Sequence, residues 1–558
     1  MGDENDATRL RQPAGGSLRT IASRTGSRRI DLVVLGLLSA LLICLAASRR
    51  DFLGDGVRHL PAVLAPRPSF GEPRWLLFPP LAWIWVRLVS GFGLVIGPRV
   101  AIQALLWMCV ASGIVFLSGI RSWLTIDAGD GRKRAAALLL AGSCAPVLIL
   151  FSDFAEPQIA AAIVVVGLAH ARRRRENPGR AQPAAVVAIA AIAVATLIYQ
   201  GAILGLGMLP LVVSSKTLGR RRVAATIGVS VLAVFVVLIG AQIAAGSTPG
   251  LAFATAFRGE RNPLTRSLMA RPAPSKYLVA ILAGPPQGVV ALENYSGIPA
   301  LLSALGSDDE RVARPAILNA LRLLLGCVVV GILVAAGAHA GSWRVLAALA
   351  VLLALPVLRN QQYGYAKFFI LWPVPIALLA ARCRTRTIAI AAAVVLTANT
   401  WLVAHEVLRG RELFAAVRDD YGRASPATCW FASGWSPPLS YLWPGTSVPV
   451  LGILATGDDP VAQATALTAA LRKCFCESDA VWTDASTRDA DMLASLARHF
   501  DYTSIDLKSV LSDPSRADSL LLPGAHVYSE PEQRRVCALT GGTFGRQQPR
   551  RSDRERTP

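Results

Sequence analysis

Apolar residues run along this chain in blocks of roughly 20, the length of a membrane-spanning helix, separated by short polar or basic connections. The pattern predicts eleven spans, at 31–48, 99–120, 134–152, 157–171, 183–199, 201–215, 222–245, 317–339, 343–358, 366–382 and 386–403. Two further apolar stretches are interrupted: 75–95 by Pro79 and Pro80, and 277–292 by Pro285 and Pro286. Proline removes a backbone donor and clashes with the preceding turn, so neither stretch reads as a continuous helix. Each is expected as a juxtamembrane or re-entrant helix on the outer face, the alternative being an ordinary span. Beyond 403 the period changes. Short runs at 429–431, 447–455 and 481–484 read as strands, alternating with helices at 460–474 and 487–500. Asp459 is placed as the cap of the first helix and Pro460 as its first residue. Such alternation predicts a small α/β domain. The expected fold is therefore an all-α membrane bundle of about eleven transmembrane helices with a C-terminal soluble α/β domain. Its expected parts are a basic cytoplasmic tail (1–30), a membrane domain (31–403) with outer loops 49–98 and 246–316, an outer domain (404–545) and a disordered tail (546–558).

Charge orients this arrangement. The chain is 53% hydrophobic and 17% charged, with a formal net charge of +21. Soluble proteins carry about a quarter charged residues. The cations do not form a nucleic-acid surface; they sit in short runs between apolar blocks, as at 172–175, 220–222 and Arg382, Arg384 and Arg386. With the basic N-terminus inside, every such run falls on the same side, as the positive-inside rule requires. Counting 75–95 as a span would put the 172–175 run outside. No small-residue cleavage site follows the first apolar block, which reads as a retained signal anchor. The expected location is the inner membrane, with the C-terminal domain periplasmic. Cys429, Cys474, Cys476 and Cys537 all fall in that domain, an even number that fits two disulfides in an oxidising compartment. Unpaired buried thiols are the alternative.

The candidate chemistry gathers in the outer connections. Asp55 lies between Gly54 and Gly56, directly after the first span, with Arg58 and His59 following. Paired glycines let the backbone turn tightly and present the carboxylate as a base; a plain Asp-Gly turn is the bland alternative. Asp153 and Glu156 occupy the very short connection between the third and fourth spans, where unsupported carboxylates are costly. Arg359 and Lys367 bracket Tyr363 and Tyr365 ahead of another span. Two cations there suit a lipid phosphate, while Tyr and Lys also serve as ordinary interfacial anchors. No zinc, Walker A or dinucleotide motif is present. No residue is assigned to a metal, and a divalent ion is left open as a cofactor.

The order of these features resembles the GT-C superfamily of integral membrane glycosyltransferases, in the branch of protein O-mannosyltransferases and lipid A aminoarabinose transferases. The matching residues are Asp55 in its Gly-Asp-Gly turn, the helix beginning Phe78-Pro79-Pro80-Leu81-Ala82-Trp83, the acids Asp153 and Glu156, and Arg359, Tyr363 and Pro373 late in the bundle. Where the family has His before Pro-Pro-Leu this chain has Phe78, and Asp153 lacks an Arg a few residues upstream. The resemblance implies a polyprenyl-phosphate sugar donor and a glycan, lipid or protein acceptor. It implies Asp55 as the base, Asp153, Glu156 and His59 as positioning groups, and Arg359, Lys367 and Arg58 as phosphate ligands. The reaction would be a single inverting displacement. The competing classes are a transporter or flippase of lipid-linked glycans, which would need polar residues at mid-membrane depth, and a non-catalytic envelope assembly protein.

The charge bias yields a direct test. An alkaline phosphatase fused after Pro558 is expected to be active and a cytoplasmic reporter there silent; the reverse result would overturn the orientation.

Overall fold

A computed structural model describes residues 16–49, 59–70, 75–91, 96–154, 157–175, 181–212, 220–244, 249–250, 284–292, 310–360, 369–432, 442–449, 453, 460–483 and 526–544. Helix α1 (Gly16–Ser48) carries the apolar stretch Ile30–Ser48. Short α2 (Leu60–Leu64) and α3 (Phe78–Ser90) precede α4 (Pro98–Asp127), α5 (Gly131–Ser143) and α6 (Ala145–Leu150). Then come α7 (Pro157–Arg175), α8 (Ala181–Ile198), a tight 3-10 stretch (Gln200–Met208) running into α9 (Leu209–Val212), and α10 (Arg220–Ala244). The late bundle holds α11 (Glu310–His339), α12 (Trp343–Asn360), α13 (Pro373–Ala380) and α14 (Thr385–Tyr421). Where described, each expected span overlaps helix, 134–152 and 366–382 only in part. Four stretches, Ile30–Ser48, Pro98–Asp127, Ala313–His339 and Thr385–Tyr421, are each long and apolar enough to cross a membrane. The chain is a multi-pass membrane protein.

The bundle packs around α4, whose buried residues include Leu105, Cys109, Phe116 and Trp123. Helix α7 lies against α4 and α8, and α5 against α1 and α14. Close approach needs small residues, because helices in lipid associate by packing rather than by hydrophobic exclusion. Gly119 of α4 is such a point: a Cβ there would stand 2.9 Å from Val165 of α7.

Helix α3 buries Phe78, Ala82 and Val86, one per turn, and leaves Leu81, Ile84 and Leu88 exposed. Trp85 donates from its indole to the Ala104 carbonyl of α4 at 2.7 Å. With 13 residues, α3 is about 20 Å long, well short of a bilayer core.

Two expected elements differ from the sequence reading. The 134–152 span is not one helix. It breaks at Cys144, whose ψ of 142° is extended, because Pro146 cannot supply the N–H that a continuing helix needs. The 284–292 part of the second interrupted stretch is less helical than expected, with helix only at 284–287. Val289 and Val290 are fully buried, and the segment is inserted between helices. Asn399 of α14 joins these two irregularities. Its amide donates to the Ser143 carbonyl at 2.7 Å and the Val289 carbonyl at 2.8 Å, and its oxygen accepts from the Ala291 N–H at 2.8 Å. Ala145 N–H donates to the same Val289 carbonyl at 3.0 Å.

Helix α14 has 37 residues, about 55 Å, so position 404 falls inside an unbroken helix that extends past a bilayer core. Its far half meets a four-stranded sheet of order β2-β1-β3-β4, from β1 (Thr428–Ala432), β2 (Thr446–Pro449), β3 (Ala480–Thr483) and β4 (His526–Val527). The first three strands are parallel and β4 is antiparallel. Strand alternation gives each face its own core. Cys429, Phe431 and Val481 pack with α15 (Pro460–Glu477) and α16 (Glu530–Leu539). Trp430 and Trp482 pack on Val417 and Tyr421 of α14. Disulfides join Cys429 to Cys474 and Cys476 to Cys537. Two residues apart on one helix point about 200° apart, which is why Cys474 and Cys476 take different partners. The segments 487–500 and 546–558 lie outside the described residues.

Replacing Asn399 with Leu takes this partner from two buried backbone groups, the Ser143 carbonyl and the Ala291 N–H, and leaves the Val289 carbonyl with Ala145 alone. The expected loss is about 3 kcal/mol, read as a lower unfolding midpoint of the purified protein in detergent. An unchanged midpoint would show that Asn399 does not hold the break.

Candidate active site at one end of the bundle

Buried charge concentrates at the two ends of the apolar stretch Ile30–Ser48 of α1. At the first, Asp31 is fully buried and takes Arg121 Nε at 3.2 Å and Arg134 Nε at 3.4 Å. Arg134 also donates to the Ala128 and Gly129 carbonyls, and Arg172 pairs with Asp127 at 2.9 Å. These are the arginines whose runs orient the sequence, and they collect at one end. Ser48 lies 17 residues further along α1, about 26 Å of helical rise.

At that second end, Arg49 turns back just after α1, its N–H bonded to the Ala46 carbonyl at 3.1 Å. Its Nη1 reaches Asp153 Oδ2 at 3.5 Å, with the two side chains 6% and 11% exposed. Asp153 is placed by the end of α6. Its N–H donates to the Leu150 carbonyl at 3.0 Å, and its Oδ1 accepts from the Phe154 N–H at 2.7 Å. Gln158, in the first turn of α7, is fully buried and donates from Nε2 to the carbonyls of Leu150 at 2.7 Å and Asp153 at 3.3 Å. One amide thus closes α6, opens α7 and fixes the carboxylate between them.

Aromatic rings extend the cluster toward the first loop. Phe154 lies 6.3 Å from Phe78, and Phe78 lies 4.8 Å from His59. His59 is buried and also meets the edge of Trp75 at 5.2 Å. The Leu77 N–H donates to the Leu197 carbonyl at 3.0 Å, tying the start of α3 to the end of α8. The described chain on either side of 50–58 is therefore anchored in one neighbourhood, Arg49 on Asp153 and His59 through Phe78 on Phe154.

Of the sequence candidates, the structure brings Asp153 and His59 into this cluster. Arg359 lies in the last turn of α12. Asp55, Arg58, Glu156 and Lys367 lie outside the described residues. Sequence reasoning missed Arg49 and Gln158. Arg49 carried a signal: it follows a span on the side where the positive-inside rule leaves cations scarce. Among the described residues, no group of three or more His, Cys, Asp or Glu side chains gathers as a metal site. What the cluster offers chemically is a carboxylate that can accept a hydroxyl proton beside a guanidinium whose Nε has no hydrogen-bond partner. Guanidinium forks suit phosphate oxygens.

No protein-family model and no curated protein matches the chain. Solved structures do show likeness. ArnT from Cupriavidus metallidurans in the apo state is 15% identical with a TM-score of 0.42, covering 84% of this chain and 94% of its own. The same protein bound to undecaprenyl phosphate gives 15% and 0.41 over the same shares. The archaeal oligosaccharyltransferase AglB from Archaeoglobus fulgidus, in complex with an inhibitory peptide and a dolichol-phosphate, is 12% identical with a TM-score of 0.47, covering 83% of this chain and 70% of its own. These likenesses are distant, and the functional reading rests on the residues above.

A buried ion pair leaves an uncompensated charge when one partner is removed, at a cost of about 3–5 kcal/mol. Arg49→Met and Asp153→Asn are each expected to lower stability by about that much. The double variant should fall short of the sum by more than about 1 kcal/mol. Strict additivity in detergent unfolding would show that the two residues do not act as a pair.

Proposed function

We propose that this chain is a membrane glycosyltransferase that moves a sugar from a polyprenyl-phosphate carrier to an acceptor hydroxyl, on the face of the membrane opposite its arginine-rich end. The observation that carries this reading is the Arg49–Asp153 pair. It holds the start of the first loop against the connection that bears the second acid, at the end of α1 remote from Asp31, Arg121 and Arg134. Undecaprenyl phosphate and dolichol-phosphate, found with the ArnT and AglB structures, belong to the carrier class proposed here. The disulfides Cys429–Cys474 and Cys476–Cys537 favour an oxidising compartment for the sheet. Arg411 Nε donates to the Ser48 carbonyl at 2.7 Å, so α14 leaves the bundle at the same end as Asp153. Periplasmic placement of that end, in an inner membrane, follows as part of the proposal.

In the proposed reaction the acceptor O–H loses its proton to the Asp55 carboxylate. The oxygen forms a bond to the anomeric carbon as the bond from that carbon to the phosphate oxygen breaks, and polyprenyl phosphate leaves with the bonding pair. Attack opposite the leaving group inverts the anomeric centre and needs one base. Phosphate leaves well, so cations that hold its charge suffice; Arg58, Arg359 and Lys367 take that role. Asp153, Glu156 and His59 position the substrates. A transporter would carry charge at mid-depth. Among the described residues, the buried charged groups Asp31, Arg49, Arg134, Asp153 and Asp420 all sit at the ends of apolar stretches or of helices.

Transfer from a radiolabelled polyprenyl-phosphate sugar in proteoliposomes tests the reading. Asp55→Asn keeps size and hydrogen bonding but removes the base, and transfer is expected to fall about 100- to 10,000-fold at normal membrane abundance. Asp153→Asn and Glu156→Gln should each lose less. Full transfer by Asp55→Asn would make the first-loop acid a turn residue only, and absence of transfer by the wild type would favour a transporter.

A further inference from the structure

Helices α1, α5 and α14 run side by side in one direction. Asp31 meets Arg134 where the apolar stretch of α1 begins, and further along both helices Leu38 packs on Gly142. Asn399 of α14 bonds to Ser143, the last residue of α5, and Arg411 reaches on to Ser48 at the end of α1. Counting back from the Ser143–Asn399 tie, Arg132 lies 11 residues down α5 and Arg386 lies 13 down α14, about 17 and 20 Å at helical rise. Helix α5 packs on both α13 and α14, so the turn that joins those two lies beside the start of α5. Arg132 and Lys133 therefore stand close in height to Arg382, Arg384 and Arg386.

The turn presents its cations outward. The Arg382 N–H bonds to the Leu379 carbonyl at 2.9 Å and the Cys383 N–H to the Ala380 carbonyl at 3.0 Å. Cys383 is buried, while Arg382, Arg384 and Arg386 are exposed, as is Arg132. The acids at this end are already engaged. Asp31 takes Arg121 and Arg134, Asp127 takes Arg172, and Asp130 caps α5 through the Arg132 N–H. Among the described residues, no carboxylate pairs with Arg132, Lys133, Arg382, Arg384 or Arg386. These cations do not serve their own helices either: the first turns of α5 and α14 hold no acid, and a cation at a helix start opposes the helix dipole. The positive-inside rule accounts for cations in each loop, but it does not require two loops remote in sequence to bring theirs together. The cluster flanks the start of the apolar stretch Thr385–Tyr421, which is the height of lipid phosphates. We propose that the α13–α14 turn and the start of α5 form one docking surface for acidic phospholipid headgroups, in the leaflet at the Asp31 end of the bundle. A headgroup held there braces α5 against α14, the pair that carries the Asn399–Ser143 tie.

The full chain in an uncharged detergent would be titrated with phosphatidylglycerol and with phosphatidylcholine of the same acyl chains, affinity being taken from the rise in unfolding midpoint. Wild type is expected to gain more from phosphatidylglycerol, and the difference should shrink with added salt. Each cation beside an acidic surface is worth about 5-fold in binding. The triple variant Arg382→Gln, Arg384→Gln, Arg386→Gln should therefore bind phosphatidylglycerol about 10-fold more weakly or worse, with its response to phosphatidylcholine and its lipid-free midpoint little changed. The double variant Arg132→Gln, Lys133→Gln keeps the 382–386 run that helps orient the chain, and it should also lose about 10-fold. Where the triple variant inserts poorly, the double variant decides. An equal response of wild type to the two lipids would overturn the surface. So would undiminished phosphatidylglycerol binding in the double variant, which would show that the two loops do not share a ligand. A midpoint lowered by the same amount with and without phosphatidylglycerol would assign these cations to the fold and overturn the docking. Protection of wild type by soluble polyglutamate as strong as by phosphatidylglycerol would point to an acidic protein and overturn the lipid assignment.

Discussion

Where a helix breaks inside a membrane bundle, its freed backbone groups have no water to turn to, and protein must supply every partner. Asn399 meets that constraint here. A single side-chain amide can donate twice and accept once or more, and this one serves Ser143, Val289 and Ala291 together. The break at Cys144 lets α6 turn away from α5 and deliver Asp153 to the end of the bundle. The insertion at 284–292 lets an irregular strand of backbone sit among helices. Both depend on α14 passing at the right height to present the amide. The placement of Asp153 and the inserted segment therefore share a single polar knot.

The two ends of the bundle also differ in how they hold charge. At the Asp31 end the cations outnumber the acids, and backbone carbonyls take up the surplus donors of Arg134. That arrangement ties α1, α4 and α5 together at this end. At the Asp153 end a buried carboxylate meets the Arg49 guanidinium, with Gln158 fixing the backbone behind it.

Much of the architecture was legible because hydrophobic length is a strong signal. The apolar blocks and the Pro-interrupted stretches correspond to physical discontinuities, whereas the boundary read at 403 does not, because α14 runs unbroken through it. Pro146 marked the break in the third span, yet a break inside an apolar run leaves the hydropathy unchanged, so the span read as continuous. The burial of 284–292 was illegible for a similar reason: an apolar segment with two prolines suits an interface as well as a core, and only the distant Asn399 distinguishes them. Asp153 and His59 stood out as polar residues in short outer connections. Arg49 did not, because beside Arg50 it looked like another flanking cation, and its partner lies a hundred residues away. Asp55, Arg58, Glu156 and Lys367 lie beyond the described residues, so that part of the candidate site stands on sequence alone.

The unbroken course of α14 has a consequence for motion. A soluble unit on a flexible linker reorients on its own within nanoseconds to microseconds. This sheet has no such linker on its N-terminal side. Its helix is packed against α5 in the bundle, tied to Ser48 by Arg411, and gripped at its tip where Tyr421 meets Trp430, Trp443 and Trp482. A rod held at three heights transmits rotation and resists bending, so the sheet tumbles with the membrane-embedded body as one particle. Its faces keep a constant bearing to the helix bundle, and the length of α14 sets how far the sheet stands from it.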